Sequence, residues 1–231
     1  MSNLENYMKQ QAIFCEQNDS ISKNLYSEYG VKRGLRDEKG QGVLTGLTNI
    51  SDIKAFEYHD GVKSPCDGEL SYRGYNIKDL VTGSKGKRFV FEEGAYLLLF
   101  GELPTDTQLM EFQGRLSDCM ELPTNFTRDV IMKAPTSDIM GSMTRSILTL
   151  GSYDKEKESL EIPNVLRQSM QLIAVFPMLA VYAYHAYCHY EKNESMYIHR
   201  PEKDLSIAEN FLRLLRPDTK FTELEARVLD I

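Results

Sequence analysis

The sequence predicts an all-α fold preceded by a small N-terminal antiparallel β element. Two observations carry this prediction. Between residues 31 and 83, glycines recur (Gly34, Gly40, Gly42, Gly46, Gly61, Gly68, Gly74) among short β-capable runs, the texture of turns and hairpins. Beyond Gly83 the punctuation becomes that of helices. Ser or Thr is followed three residues later by Glu or Gln, and glycine or proline stands where several of the periodic runs stop. The chain has 231 residues, 42% hydrophobic and 26% charged. That is long and apolar enough for a sizeable core and unlike a disordered segment.

Residues 1–30 read as a polar, weakly periodic helix or tail. Segments 43–50 and 69–72 are the strand candidates that follow. Residues 91–100 are apolar-rich and stop at Gly101 with Pro104 just beyond, a helix C-terminus and its breaker. Thr105 with Gln108 forms a capping-box pattern that opens a helix to about Met120. Ser137 or Asp138 can cap a helix to Leu150, closed by Gly151. Asn164 can cap a long helix from Val165 to about Tyr190. Ser206 with Glu209 opens another, which ends at Arg216-Pro217.

Thr222 with Glu225 starts one more helix, in which Leu224, Val228, Leu229 and Ile231 share an apolar face. That face still needs a partner where the sequence stops. The pattern predicts a fragment or truncated gene product, with a natural terminal helix as the alternative.

Charge narrows the function. Lys+Arg 27 against Asp+Glu 34 gives a net charge of −7, the wrong sign for a module that tracks nucleic-acid phosphates. The N-terminal residues lack the apolar core of a signal peptide. The longest apolar stretch, 172–188, is short for a bilayer span of ~20 residues and is interrupted by Pro177 and His185. Cys15, Cys66, Cys119 and Cys188 are scattered without a CxxC pair. They read as free thiols in a reducing cytoplasm.

Candidate chemistry is sparse. His185, Cys188 and His189 lie at i, i+3, i+4 on one helix face, a spacing that can present ligands to a metal. No Glu sits between the histidines, and no fourth ligand is evident. A buried or interfacial helix with two tolerated histidines explains the run better, so no metal is expected. Gly40, Gly42 and Gly46 do not satisfy a phosphate-loop spacing and read as hairpin turns. Lys32, Arg33 and Arg36 form a compact basic knot that could hold a polyanionic small ligand, since guanidinium forks match phosphate oxygens. A solvated loop is the plain alternative. No nucleophile constellation is present among the four histidines.

Several segments together resemble one family. YGVKRGLR at 29–36, TGLTNI at 45–50, ELSYRGYNIKDL at 69–80 and FEEGAYLLLFGELPT at 91–105 are similar to the N-terminal part of citrate synthases. LSIAENFL at 205–212 and FTELEARVLDI at 221–231 continue the resemblance in order and spacing. It implies residues 1–30 as an N-terminal helix or tail, then residues 31–231 as the N-terminal portion of the large helical domain, without the small domain or the catalytic half. The family's catalytic histidines, aspartate base and oxaloacetate-binding arginines then lie beyond Ile231, so no catalytic role carries over to His59, His185, His189 or His199.

The resemblance implies condensation of acetyl-CoA with oxaloacetate to citrate and CoA, with acetyl-CoA as co-substrate and no resident cofactor. A 2-methylcitrate synthase and a non-catalytic helical dimerisation module are the alternatives. Arg33, in the YG-x-x-RG-like segment, matches the family arginine that reaches CoA phosphates in the partner subunit's site. The family homodimer implies self-association through helices 138–150 and 165–190, whose apolar and aromatic load suits such burial. One departure is visible at Ile139-Met140-Gly141, where many members begin the helix with His-Pro-Met.

Overall fold

A computed structural model describes residues 11–13, 17, 22, 24–30, 34–37, 40, 42–43 and 46–231. The chain divides into two compact units, Met1–Thr48 and Asn49–Ile231. In the first, a short helix α1 (Asn24–Glu28) precedes an isolated antiparallel bridge between Arg36 and Gly42. The Arg36 guanidinium donates to the Gly40 carbonyl at 2.8 Å and closes that loop.

The second unit opens with a three-stranded antiparallel sheet, β1 (Ser51–His59), β2 (Val62–Tyr72) and β3 (Tyr75–Asn76). Segment 43–50 carries no strand at its described residues, which corrects the strand expected there. The reason lies in the turns. Asp60-Gly61 and Arg73-Gly74 each take left-handed φ at both positions (51° and 79°, 50° and 87°), the geometry of two-residue hairpins whose twist suits the flanking strands. Asp60-Gly61 fixes the β1–β2 register from His59↔Val62 back to Ser51↔Tyr72, with one irregularity between Lys54 and Phe56, and Arg73-Gly74 fixes that of β2–β3 from Tyr72↔Tyr75.

Arg73 also fastens the sheet to the helices. Its Nε and Nη2 donate to the Leu98 carbonyl at 3.2 and 2.8 Å, near the end of α3 (Val90–Phe100), where carbonyls lack intrahelical partners. Between them lies α2 (Ile77–Gly83), capped by Asn76, whose side chain accepts from the Lys78 N–H. Gly101, with φ 86°, ends α3 as its sequence indicates.

Capping boxes open α4 (Asp106–Asp118), α8 (Ile207–Leu215) and α9 (Glu223–Asp230), at Thr105/Gln108, Ser206/Glu209 and Thr222/Glu225. Of the two candidates at the next helix, Asp138 is the cap of α6 (Ile139–Gly151), accepting from the Gly141 N–H at 2.9 Å. The four-residue α5 (Phe126–Asp129) and a 3-10 turn (Ile131–Lys133) come just before it.

The long helix α7 (Ile162–Lys192) starts earlier than expected, with Pro163 in its first turn. Asn164 is therefore not its cap. Its amide donates to the Glu156 and Ser159 carbonyls and pins the preceding loop instead. At 31 residues α7 is long and apolar enough to cross a membrane by length and composition. One face of it is nonetheless buried inside this chain: Ala174, Leu179, Val181 and Ala186 share a core cluster with Phe112 and Leu116 of α4, Phe126, Ile131, and Ile207 and Leu214 of α8. The fold is mainly helical with a small antiparallel sheet, as the sequence predicts.

Candidate functional site

Two groups of residues have geometry beyond simple packing. The first is the junction of α3, α8 and α9. Asp230 of α9 accepts from the Val90 and Phe91 N–H groups at 2.8 and 3.1 Å, capping α3 from outside. Glu92, in the first turn of α3, accepts from the Ile207 N–H at 2.8 Å and so reaches the start of α8. Arg88 donates to Glu209 through Nε and Nη2, at 3.0 and 2.5 Å. An adjoining cavity of about 240 Å³ is bordered by Lys87, Arg88, Glu209, Arg227 and Asp230.

Glu92 is 1% exposed, and its Oε2 has no hydrogen-bond partner. Burial pushes its carboxyl up to about 7, against the pull of the backbone N–H of Ile207. Desolvation of a charge outweighs a helix N-terminus, which contributes only about 0.3–1 kcal/mol at an exposed position. Sequence reading missed this residue. The signal was there: Glu92 shares a face with Ala95, Tyr96 and Leu99, which pack against the core.

The second group lines a cavity of about 380 Å³ between α6 and α7, and it includes Cys119, Glu121, Tyr153, Asp154, Lys157 and Arg167. Gln168 and then Arg167 hold the Asp154 carboxyl down to about 2. Arg167 is fully engaged: it donates to Asp154 at 2.9 Å, and to Asn164 and Gln171. It has no free fork with which to grip a dicarboxylate.

The structure keeps the residues of the metal spacing on one helix and gives both histidines backbone partners. His185 Nε2 lies 3.1 Å from the Leu214 carbonyl, so it carries the proton and donates. His189 Nδ1 lies 2.7 Å from the Glu194 carbonyl and is likewise a donor. Cys188 is buried. Each histidine thus spends a nitrogen on the backbone, and no metal-holding group of three His, Cys, Asp or Glu exists among the described residues. His59 lies far along β1, 3.1 Å from Glu57. None of the cavities named is lined by a histidine. Lys32 and Arg33 lie outside the described residues, so the basic knot is represented by Arg36 alone.

The family model described as "Citrate synthase, C-terminal domain" matches residues 35–231. The chain belongs to the citrate synthase family. The citrate synthase of Corynebacterium glutamicum is 30% identical over 149 residues, covering 64% of this chain and 32% of that protein. That of Saccharolobus solfataricus is 29% identical, covering 79% and 41%. The 2-methylcitrate synthase of Shewanella oneidensis is 31% identical, covering 70% and 40%. The chain thus spans less than half the length of these curated relatives.

Among solved structures, the citrate synthase of Pyrobaculum aerophilum superposes with a TM-score of 0.65 at 23% identity, covering 84% of this chain and 45% of that one. The Thermoplasma acidophilum citrate synthase, solved in a ternary complex with carboxymethyl coenzyme A and oxaloacetate, gives 0.64 at 19% identity, covering 81% and 44%. At these identities the structural likeness establishes a shared fold. The match places the sheet and helices α2–α9 within a citrate synthase-type scaffold.

Proposed function

We propose that this chain is the N-terminal scaffold part of a citrate synthase, an acyltransferase that condenses acetyl-CoA with oxaloacetate to give citrate and free CoA. The observation that carries this reading is the family match over residues 35–231. The reaction sets clear demands. The acetyl methyl is a very weak acid, so a carboxylate base works only if donors stabilise the enolate oxygen as it forms. Guanidinium forks must hold the two carboxylates of oxaloacetate.

Residues 46–231, all of them described, offer no such set facing one cavity. Of the cations that line the two cavities named above, Arg88, Arg167, Lys87 and Lys157 are paired with Glu209, Asp154, Glu93 and Glu158, and Arg227 donates to the Ser84 carbonyl. The only carboxyl raised toward neutrality among the described residues is buried against Ile207. The chain alone is therefore proposed to be silent. Arg33 is assigned to the CoA phosphates on the motif it occupies. The protein is placed in the cytoplasm, with no resident cofactor.

A second reading has its own support: curated 2-methylcitrate synthases match about as well as citrate synthases do. That enzyme takes propionyl-CoA in place of acetyl-CoA. Self-association is assigned to helices 138–150 and 165–190, which correspond to α6 and α7 and where Met140, Leu148, Val165 and Phe176 remain exposed.

The experiment is CoA release from the 231-residue chain given oxaloacetate with acetyl-CoA or propionyl-CoA, followed with a thiol reagent. Background from the four cysteines is subtracted. No release is expected, and turnover that survives repurification overturns the assignment of silence. The same assay on a version extended to the length of the relatives then separates the two thioesters. In that version Arg33→Ala is expected to raise the KM for the acyl-CoA.

A further inference from the structure

Glu92 is a buried titratable group that the proposed reaction does not use, and it sits where three helices meet. Asp230 of α9 holds the N-terminus of α3, and Glu92 of α3 holds the N-terminus of α8, so carboxylates join α9 to α3 and α3 to α8. One oxygen of Glu92 is satisfied by Ile207, and the other is enclosed without a donor. The charged groups around it are accounted for. Glu209 on α8 and Asp230 on α9 are like charges facing it. Arg88, from the turn before α3, is committed to Glu209, with Asp204 also near it. Lys87 pairs with Glu93 at 3.1 Å, and Arg227 donates to the Ser84 carbonyl. Glu223 lines the adjoining cavity with them. None of these cations bonds Glu92.

We propose that Glu92 is a pH-operated latch between α3 and the α8–α9 pair, closed while it carries a proton and released as it ionises. An ionised carboxylate here has one oxygen without a donor and two like charges nearby, and the attraction of Arg88, which is paired with Glu209, does not offset its burial. The relief open to it is movement of α8 and α9 that admits water. Burial places the transition near neutrality, since it pushes Glu92 up to about 7. A folded-state value above the ordinary carboxylate range means that the folded protein binds the extra proton. The stability that proton supplies is fully present below about 4.5 and is lost as pH rises through about 7.

The test is amide hydrogen exchange of the 231-residue chain at pH 5.5–8, corrected for intrinsic rates. Peptides from residues 204–231 are read against peptides from α6 as an internal reference. Protection of 204–231 is expected to fall at least about tenfold across the window, the change linked to one pH unit of displacement. In Glu92→Gln the step disappears, and protection at pH 8 equals that of the unsubstituted chain at pH 5.5. Asp230→Asn, which keeps one of the two oxygens that cap α3, removes one like charge and moves the midpoint toward acid. Flat protection in the unsubstituted chain, a step retained in Glu92→Gln, or a midpoint unmoved in Asp230→Asn each overturns the latch.

Discussion

His185 lies on the helix that carries most of the core, its ring between Tyr184 and Tyr197 and its Nε2 directed at the Leu214 carbonyl. That contact ties α7 to the last turn of α8 and accounts for a histidine in an apolar run. His185→Ala leaves a buried carbonyl without a donor and a cavity beside it. The cost is about 2–4 kcal/mol, which for a chain of this size lowers Tm by roughly 5–15 °C. The same reading makes stability indifferent to chelators. EDTA is expected to leave the thermal melt unchanged, and a chelator-dependent loss would return His185, Cys188 and His189 to the role of ligands. Tyr182, one turn earlier, follows the same logic: its hydroxyl donates to the His199 carbonyl, and burial pushes it up to about 12.

At the scale of elements, the hairpin turn is the sharpest case. Gly61 has φ 79°, a region costly for any residue with a branched Cβ. Gly61→Val is expected to cost about 1–3 kcal/mol, read as a lower urea midpoint with an unchanged slope. Gly68, at ordinary φ with open space around it, tolerates Ala with a much smaller shift. The Asp60-Gly61 signal stands in the sequence, yet segment 43–50 drew attention because its β-capable residues are concentrated there. Capping boxes were legible because they are closed within four residues: Thr105, Ser206 and Thr222 act as their spacing implies. Asn164 misled because Pro163 allows the helix to begin before it. α5 gave no local signal, since its four residues are held by tertiary burial of Phe126 and Ile131, each 1% exposed. The site was less legible than the fold. An acid in the first turn of α3 reads as a solvated, dipole-favoured charge; the face it shares with Ala95, Tyr96 and Leu99 hints at burial, and the contact with Ile207, 115 residues away, shows what it is buried against.

For the whole molecule, the division of apolar surface decides what the chain can associate with. The family resemblance assigns the apolar and aromatic load of α7 to a partner; the fold buries one face of the helix, including Ala174, Leu179, Tyr182 and Ala186, and leaves Phe176, Tyr184 and Tyr190 exposed. A stripe on α6 also stays outside, where Met140 and Leu148 are each 73% exposed and stand two turns apart on one face with Thr144 between them. Exposed Ile162 and Val165 begin α7 in the same part of the sequence. A net charge of −7 opposes random aggregation, so association has to rest on a matched surface of this kind. The double substitution Met140→Lys, Leu148→Lys is therefore expected to weaken self-association at least tenfold, because a charge enclosed at a contact without a partner costs more than about 1.4 kcal/mol. Since both side chains already face water, the circular dichroism and Tm of the dissociated chain remain as they were. Sedimentation of both forms across a hundredfold range of concentration reads the difference directly. An unsubstituted chain that stays monomeric throughout, or a double variant that associates equally well, removes α6 from the interface.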